Sequence, residues 1–214
     1  MQPLAGRRIW LVGIGGAGLS AYGVLARAWG AEVGGWDRNE TPYLAVVRAA
    51  GIEPVVSPEP ELPAGWEIVV SSAYPTVAGR SRAEFLAELV PLRRSIVVAG
   101  THGKSTTTAM IAFVLRELGR DPAFLVGAEV PQLGGNVGTG DGWLVVEGDE
   151  SDRTVELLRP EIGLVTNVEL DHHVTFAYEA ELVELFERWL REVPAAVRGW
   201  ELEPLRVGDQ LADE

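Results

Sequence analysis

The sequence predicts an α/β fold made of two consecutive units, each with a parallel sheet, and two observations support this. Short apolar runs alternate with segments of helical periodicity through most of the 214 residues. Two of these runs end in a glycine-containing turn that opens a helix, near residue 13 and near residue 100. Alternating strands and helices are typical of a parallel sheet covered by helices, so each turn marks the start of one unit.

The first unit is predicted to span residues 1–94. An apolar run at 8–14 indicates a buried strand, and the glycine-rich turn after it leads into a helix that reaches Trp29. Thr41 and Pro42 open a second helix, which Gly51 closes. Further strands are predicted at 31–36, 53–56 and 67–71, and a third helix at 81–89.

The second unit is predicted to span residues 95–214. Its strands are expected at 96–99, 143–146 and 162–165, with a helix after Ser105 that Gly119 ends. Apolar residues at helical spacing predict another helix at 179–191. After Pro194 the pattern fades, and we expect a polar tail. No Pro/Gly-rich linker separates the two units.

Composition excludes several classes of protein. A net charge of −13 without a basic run disfavours nucleic-acid binding. The absence of cysteine excludes disulfide scaffolds and fits a cytoplasmic protein. Arg7 and Arg8 precede an apolar stretch that resembles a signal peptide, but its five glycines disfavour an apolar helix. The stretch is too short and broken to span a membrane, so no membrane association is expected.

The first glycine-rich turn, at residues 13–18, fits the spacing G-x-G-x-x-G between a strand and a helix. In this Rossmann-like arrangement the backbone approaches a diphosphate, which meets the helix N-terminus. Ser20 can add a hydroxyl, and Asp37 ends the next strand, where an acidic residue often meets a ribose. The spacing fits NAD and a nucleotide-sugar equally well, and glycines that serve only helix packing remain an alternative.

The second turn is a shortened relative of the P-loop pattern G-x-x-x-x-G-K-[ST], with Val98 where that pattern has its first glycine. Lys104 is expected to meet the β- and γ-phosphates of ATP, and Ser105 or Thr106 to offer a hydroxyl to Mg²⁺. The predicted ATP-binding residues are Gly100, Thr101, His102, Gly103, Lys104, Ser105 and Thr106.

Acidic and imidazole side chains follow the next two strands. Residues 147–152 hold four carboxylates, which repel one another unless a cation such as Mg²⁺ with ATP lies nearby. A solvated acidic turn is the alternative. Residues 166–173 end in Asp171, His172 and His173, which suit metal or phosphate binding. A structural zinc site is not indicated, since cysteine and an H-x-x-x-H pattern are both absent.

These segments together resemble successive signatures of the Mur ligases, the ATP-driven ligases of peptidoglycan synthesis. The resemblance covers the chain to about residue 193 and rests on Gly13–Ser20, Gly100–Thr107, Glu147–Asp152 and Thr166–His172. The opening glycine segment, Gly100–Lys104, Val70–Ala73 and Arg82–Glu84 favour the branch that joins L-alanine to UDP-N-acetylmuramate. The chain is similar to the N-terminal half of such an enzyme.

The resemblance implies a role for individual residues. The predicted catalytic residues are Lys104, Glu147, Asn167 and His172, and the predicted Mg²⁺ ligands are Ser105, Glu147 and His172. Substrate binding is assigned to Gly15, Gly16, Gly18, Ser20, Asp37, Ser71, Ser72, Asp149, Glu150, Ser151 and Asp152. The implied reaction transfers the γ-phosphoryl group of ATP to the substrate carboxylate, and the alanine amine then displaces phosphate.

The sequence differs from the family pattern in three respects, and each leads to an expectation. Ser105 stands where members usually have Thr, and either hydroxyl can serve a metal. The region between Pro75 and Arg82 is shortened, which puts the last strands of the first unit in doubt. The domain that closes over ATP and the amino acid in longer members has no counterpart in these residues. We therefore expect residues 1–214 not to ligate alone, and an uncovered sheet edge to favour a homo-oligomer.

Other functions remain open at this point. The chain can be a binding module that holds a UDP-sugar or ATP without ligation, or an NAD-dependent enzyme that uses the first turn. The P-loop and the acidic segment argue against the NAD-dependent enzyme. A related ligase that attaches a preformed peptide to UDP-N-acetylmuramate is a further alternative.

Overall fold

The N-terminal sheet places the glycine-rich turn at the carboxyl end of its central strand. The computed structural model describes residues 2–169 and 178–199. Five parallel strands pair in the order β3-β2-β1-β4-β5, with bounds β1 Arg8–Val12, β2 Glu32–Asp37, β3 Pro54–Val56, β4 Glu67–Val70 and β5 Arg80–Ser81. The predicted strands are confirmed with small shifts of their ends. The doubted last strand forms, but it is only two residues long.

Three helices cover the sheet and carry most of its core: α1 Ala17–Ala28, α2 Tyr43–Ala49 and α3 Arg82–Leu89. Their apolar faces pack with the inward-facing residues of β1, β2 and β4, and this core continues into the second sheet. The opposite face of the first sheet carries an aromatic cluster without a helical residue. Trp36 is fully buried there, and its indole N–H donates to the hydroxyl of Ser57 at 2.8 Å.

The start of α3 is stabilised by a capping box. The Ser81 hydroxyl accepts the backbone N–H of Glu84 at 3.1 Å, and the Glu84 carboxylate accepts the backbone N–H of Ser81 at 2.7 Å. These two bonds satisfy N–H groups that a helix start leaves unpaired. The shortened connection before α3 therefore still leads into a defined helix.

We expect Ser81→Ala to lower the free energy of unfolding by about 1 kcal/mol, because it removes the side-chain acceptor of this cap. Ser81→Thr keeps the capping hydroxyl, which also donates to Glu84 at 2.8 Å, and is the matched control, expected to stay close to the unchanged chain. Urea titration followed by circular dichroism measures both. Equal losses in the two variants would contradict the capping role.

The second sheet brings three strand ends to one edge. Its six strands pair in the order β11-β10-β6-β9-β7-β8, with bounds β6 Ser95–Ala99, β7 Ala123–Leu125, β8 Val137–Thr139, β9 Leu144–Glu147, β10 Ile162–Val165 and β11 Ala195–Arg198. All pairs are parallel except β7 with β8. The helices are α4 Lys104–Glu117 and α5 Glu179–Arg191. The predicted α/β class with two consecutive sheets is confirmed.

Three strands of this sheet were absent from the sequence prediction. The expectation of a polar tail directly after Pro194 is wrong for residues 195–198, because β11 pairs in parallel with β10 there. Residues 200–214 of the predicted tail lie outside the described residues. β7 and β8 span three residues each, too few for a periodicity to be recognised. Their stability comes from pairing with neighbours distant in the chain, and α1 packs against both.

No helix in the described part of the chain is long and apolar enough to cross a membrane.

Candidate active site in the cleft between the two sheets

The glycine-rich turn is held tightly by the loop that follows β4. Gly13 has a φ of +89°, a left-handed conformation that favours glycine. A Cβ atom at Gly13 would lie 2.8 Å from the Cβ of Ser71 and 2.9 Å from the ring of Tyr74. Only glycine therefore lets the two loops approach this closely, which brings the predicted substrate residue Ser71 next to the turn.

Asp37 lies beside this turn as predicted, but its carboxylate has partners within the protein. One oxygen accepts the backbone N–H of Gly15 at 2.8 Å, and the other accepts the Tyr74 hydroxyl at 3.2 Å. Thr41 donates its hydroxyl to the Gly15 carbonyl at 2.8 Å. Asp37 is buried, and in this arrangement it shapes the turn. Direct contact of Asp37 with a ribose stays a prediction.

The start of α1 is open to a ligand. The N-cap, Gly16, provides no side-chain hydrogen bond to the first N–H groups of the helix. Such groups, with the positive end of the helix dipole, favour a phosphate. Ser20 is buried, and its hydroxyl donates to the Ala17 carbonyl at 3.1 Å. The backbone at Gly18 therefore borders the ligand space, whereas Ser20 is turned into the helix.

The P-loop is shaped by the end of β10, which lies beside it in the sheet. The side chain of Asn167 accepts the backbone N–H of His102 at 2.9 Å and donates to the His102 carbonyl at 3.0 Å. Thr166 donates its hydroxyl to the same carbonyl at 2.6 Å, and the Thr101 hydroxyl donates to the Glu169 carbonyl at 2.9 Å. Asn167, predicted to be catalytic, thus positions the loop backbone in this structure.

Lys104, the first residue of α4, points back into the loop and pairs with a buried carboxylate. Its ammonium group donates to both oxygens of Glu150, at 3.0 and 2.9 Å, and to the Gly100 carbonyl at 2.7 Å. The Glu150 side chain is fully buried. Glu150 was predicted to bind substrate, but here it is the counter-ion of the P-loop lysine.

Ser105 and Glu147 meet as the metal prediction requires. The Ser105 hydroxyl donates to one Glu147 oxygen at 3.1 Å, and the backbone N–H of Gly127 donates to the other. A hydroxyl and one carboxylate suit Mg²⁺, which commonly takes few protein ligands and completes its shell with phosphates and water. Within residues 2–169 and 178–199, no group of three His, Asp or Glu side chains could hold a metal ion. His172 lies outside the described residues.

The rest of the acidic segment links the two sheets. Arg82, at the start of α3, donates to Asp152 across the cleft at 2.8 Å. The Ser151 hydroxyl donates to Asp149 at 2.7 Å. Burial acts to raise the pKa of Asp152, but hydrogen bonds and the Arg82 charge hold that pKa below its ordinary value. The segment is therefore an organised loop rather than a freely solvated run of charges.

A cleft of about 200 Å³ lies between the start of α1 and the start of α4. Gly18 and Tyr22 of α1 line one side, and Lys104, Glu147 and Asp149 line the other. An adjoining groove of about 570 Å³ is bordered by Ser71, Ser72, Arg82 and Asp152, among others. The cleft and the groove share Arg82 in their linings, so predicted substrate residues from both units lie around this arginine.

Three residues of this region were missed as site residues by sequence reasoning: Tyr22, Arg82 and Gly127. Tyr22 lies one helical turn after Gly18, a spacing that could have indicated a shared helix face. Burial raises the pKa of Tyr22 to about 12, so its hydroxyl stays protonated. Arg82 was noted only for its sequence match, and nothing in the local sequence indicates that Gly127 contacts Glu147.

Comparison with known proteins places the chain in a family. The model of the Mur ligase middle domain matches residues 98–194, which contain the P-loop, Glu147 and Asn167. A UDP-N-acetylmuramate–L-alanine ligase of Rubrobacter xylanophilus is 39% identical over 201 residues. The chain belongs to the Mur ligase family. An enzyme of the same name from Frankia alni is 40% identical to this Mur ligase chain over 208 residues.

Solved structures of family members share the fold of this Mur ligase chain. The crystal structure of a UDP-N-acetylmuramate-alanine ligase from Thermotoga maritima covers 89% of the chain, with a TM-score of 0.74 and 28% identity. A UDP-N-acetylmuramate:L-alanyl-γ-D-glutamyl-meso-diaminopimelate ligase of Neisseria meningitides covers 93%, with a TM-score of 0.76 and 25% identity. The chain spans 48% of the first structure and 73% of the second.

The similarity to the sequence relatives covers only part of each relative. The alignments include 87% of this chain, but 45% of the Rubrobacter protein and 35% of the Frankia protein. The chain thus corresponds to less than half of each of these two relatives.

Proposed function

We propose that this chain forms the UDP-sugar-binding and ATP-binding parts of a ligase that joins L-alanine to UDP-N-acetylmuramate. The observation that carries the proposal is the shared cleft, which is lined by the start of α1 at Gly18 and by Lys104 and Glu147. A substrate whose diphosphate lies at α1 can extend its carboxylate through this cleft toward the γ-phosphate of ATP. The similarity to alanine ligases supports the choice of substrates.

In this proposal the two substrates bind to different parts of the chain. Residues 1–94 bind the UDP-sugar, with Gly15, Gly16 and Gly18 at the diphosphate and Ser71 and Ser72 along the groove. Residues 95–214 bind ATP through the P-loop. The uncapped starts of α1 and α4 both offer N–H groups to phosphate oxygens.

The proposed reaction has two steps. A carboxylate oxygen of UDP-N-acetylmuramate attacks the γ-phosphorus of ATP, the bond to the β-phosphate oxygen breaks, and ADP leaves. The amine of L-alanine then attacks the acyl carbon of the acyl phosphate, inorganic phosphate leaves, and the amine loses a proton. The protein contributes mainly position and neutralisation of charge, as is usual for phosphoryl transfer.

Individual residues have distinct parts in this proposal. Lys104 neutralises charge on the β- and γ-phosphates, and Asn167 keeps the P-loop backbone in shape through His102. Ser105 and Glu147 would hold Mg²⁺, which when bound offsets the negative charge of the phosphates. His172 remains a predicted further ligand. The prediction that these residues alone do not complete ligation is also retained.

Thermal unfolding of the 214-residue chain with single ligands tests the proposal. UDP-N-acetylmuramate and Mg²⁺ with ATP are each expected to raise the Tm with concentration, because each binds only the folded state. NAD is the control and is expected to leave the Tm unchanged. A shift with NAD and none with the UDP-sugar would instead support a dinucleotide-binding enzyme.

The same proposal has a close alternative in the ligation of a preformed peptide. The structural similarity to the Neisseria peptide ligase is as high as that to the Thermotoga alanine ligase. Both names include UDP-N-acetylmuramate, so the binding test above supports either reaction. Ligation assays on this chain joined to the C-terminal region of a full-length relative, with L-alanine or the tripeptide as acceptor, would distinguish the two.

A further inference from the structure

Tyr22 is a polar side chain of the cleft to which the proposed reaction assigns no role. It belongs to α1, is 8% exposed, and lines the cleft together with Gly18, Lys104 and Glu147. Its ring packs near that of Phe85, with centroids 6.5 Å apart. Its hydroxyl has no hydrogen-bond partner among the residues that the structure describes. The hydroxyl is not one of the fully buried, unpaired side-chain atoms of the described residues, so it opens to the cleft, where a ligand or water can satisfy it.

Of the four charged groups that act on this hydroxyl, three are carboxylates and one is a guanidinium. Arg82, Asp152, Glu147 and Asp149 all act electrostatically on Tyr22. The two cations of the cleft are already paired, Lys104 with Glu150 and Arg82 with Asp152. A neutral O–H group can approach an anion without adding charge, and it can donate one hydrogen bond.

The position of Tyr22 along α1 selects the part of the ligand that it can reach. Gly18 and Tyr22 are four residues apart, so they share a helix face and are separated by about 6 Å along the axis. A diphosphate at the start of α1 lies near Gly18, and the sugar follows it. With the diphosphate in that proposed position, a sugar that extends through the cleft toward Lys104 brings its lactyl carboxylate past Tyr22.

We propose that Tyr22 is a substrate-specificity residue whose hydroxyl donates a hydrogen bond to the lactyl carboxylate of the UDP-sugar. The inference rests on the proposed function, because it assumes a UDP-sugar with its diphosphate at α1. It adds a contact that distinguishes a muramyl sugar from a sugar without the lactyl group. A hydrogen bond to a carboxylate is worth more than one to a neutral oxygen, so its loss is measurable.

Titration calorimetry on the 214-residue chain and on Tyr22→Phe tests this contact. The Phe variant keeps the ring and its packing and removes only the hydroxyl. We expect its affinity for UDP-N-acetylmuramate to fall by about tenfold or more. Its affinity for UDP-N-acetylglucosamine, which lacks the lactyl group, is expected to be unchanged. Tyr178→Phe is the matched control, since Tyr178 is 70% exposed, and Mg²⁺ with ATP reports that both variants are folded.

The possible results separate this inference from the function on which it rests. If the unchanged chain binds UDP-N-acetylmuramate and Tyr22→Phe binds it equally well, the inference is overturned and the proposed function stands. An equal loss of affinity for both UDP-sugars also overturns it, because the contact would then be to the shared part of the ligands. No binding of UDP-N-acetylmuramate to the unchanged chain would overturn the proposed function and this inference together.

Discussion

Lys104→Ala is expected both to weaken the binding of Mg²⁺ with ATP and to destabilise the fold. The loss of the charge that meets the phosphates should reduce ATP binding by about 1–3 kcal/mol. The second effect follows from Glu150, which is fully buried and receives two hydrogen bonds from Lys104. Removal of one partner of a buried ion pair typically costs about 3–5 kcal/mol, because the remaining charge stays buried without compensation.

A double variant separates these two effects. Lys104→Ala with Glu150→Gln removes the buried charge as well as the lysine, so much of the lost stability should return. ATP binding should remain weak, because the ammonium group is still absent. Urea unfolding gives the free energies of unfolding, and titration calorimetry gives the affinities. Wild-type stability in Lys104→Ala would contradict the buried pair, and wild-type ATP affinity would reject the P-loop assignment.

Gly100→Ala is expected to lower the free energy of unfolding by about 3 kcal/mol or more, from backbone strain and overpacking together. Gly100 has a φ of +120°, which side chains rarely adopt. A Cβ there would lie 2.9 Å from the backbone nitrogen of Thr166 and from the carbonyl oxygen of Asn167. These are backbone atoms of the segment that holds the P-loop, so they cannot move aside without distorting it.

Gly103 provides a matched control in the same loop. Its φ is +79°, but a Cβ added there would meet no atom within 4 Å. Gly103→Ala should therefore cost only the strain of a left-handed residue, about 1–2 kcal/mol. Urea unfolding of both variants, without ligand, measures the difference. Equal losses would show that the close approach of Thr166 and Asn167, which follow β10, to Gly100 does not contribute to the loss of stability.

The local sequence was sufficient for the parts of the site whose geometry is local. A strand followed by a glycine turn and a helix directs backbone N–H groups at a phosphate wherever it occurs, so residues 13–18 and 100–105 could be identified from spacing. The resemblance implied that Ser105 and Glu147 share a Mg²⁺ ion, and the structure brings the two side chains to 3.1 Å, because parallel strands end at the same edge of a sheet. Metal binding by the two residues stays a prediction.

Contacts between distant residues could not be predicted in this way. In the sequence, nothing distinguishes Glu150 from the other three carboxylates of residues 147–152. In the structure, Glu150 is the one of these four that pairs with Lys104, 46 residues earlier in the chain. The sequence predicted Asn167 to lie at the reacting centre. In the structure its side-chain amide accepts a hydrogen bond from the His102 N–H and donates one to the His102 carbonyl. Such roles depend on which atoms the packed strands bring within hydrogen-bond distance.

The sequence by itself determined the α/β class, the two glycine-containing turns between a strand and a helix, and the strand ends that carry the acidic and amide residues, because each depends on a short local pattern. Only the tertiary structure decided that β7, β8 and β11 exist, since β11 is stabilised by pairing with β10, β7 by pairing with β9, and β8 by pairing with β7. Packing of α1 against the second sheet also decided that Tyr22 faces the cleft. Helical periodicity indicates that a residue is buried, but not which atoms surround it.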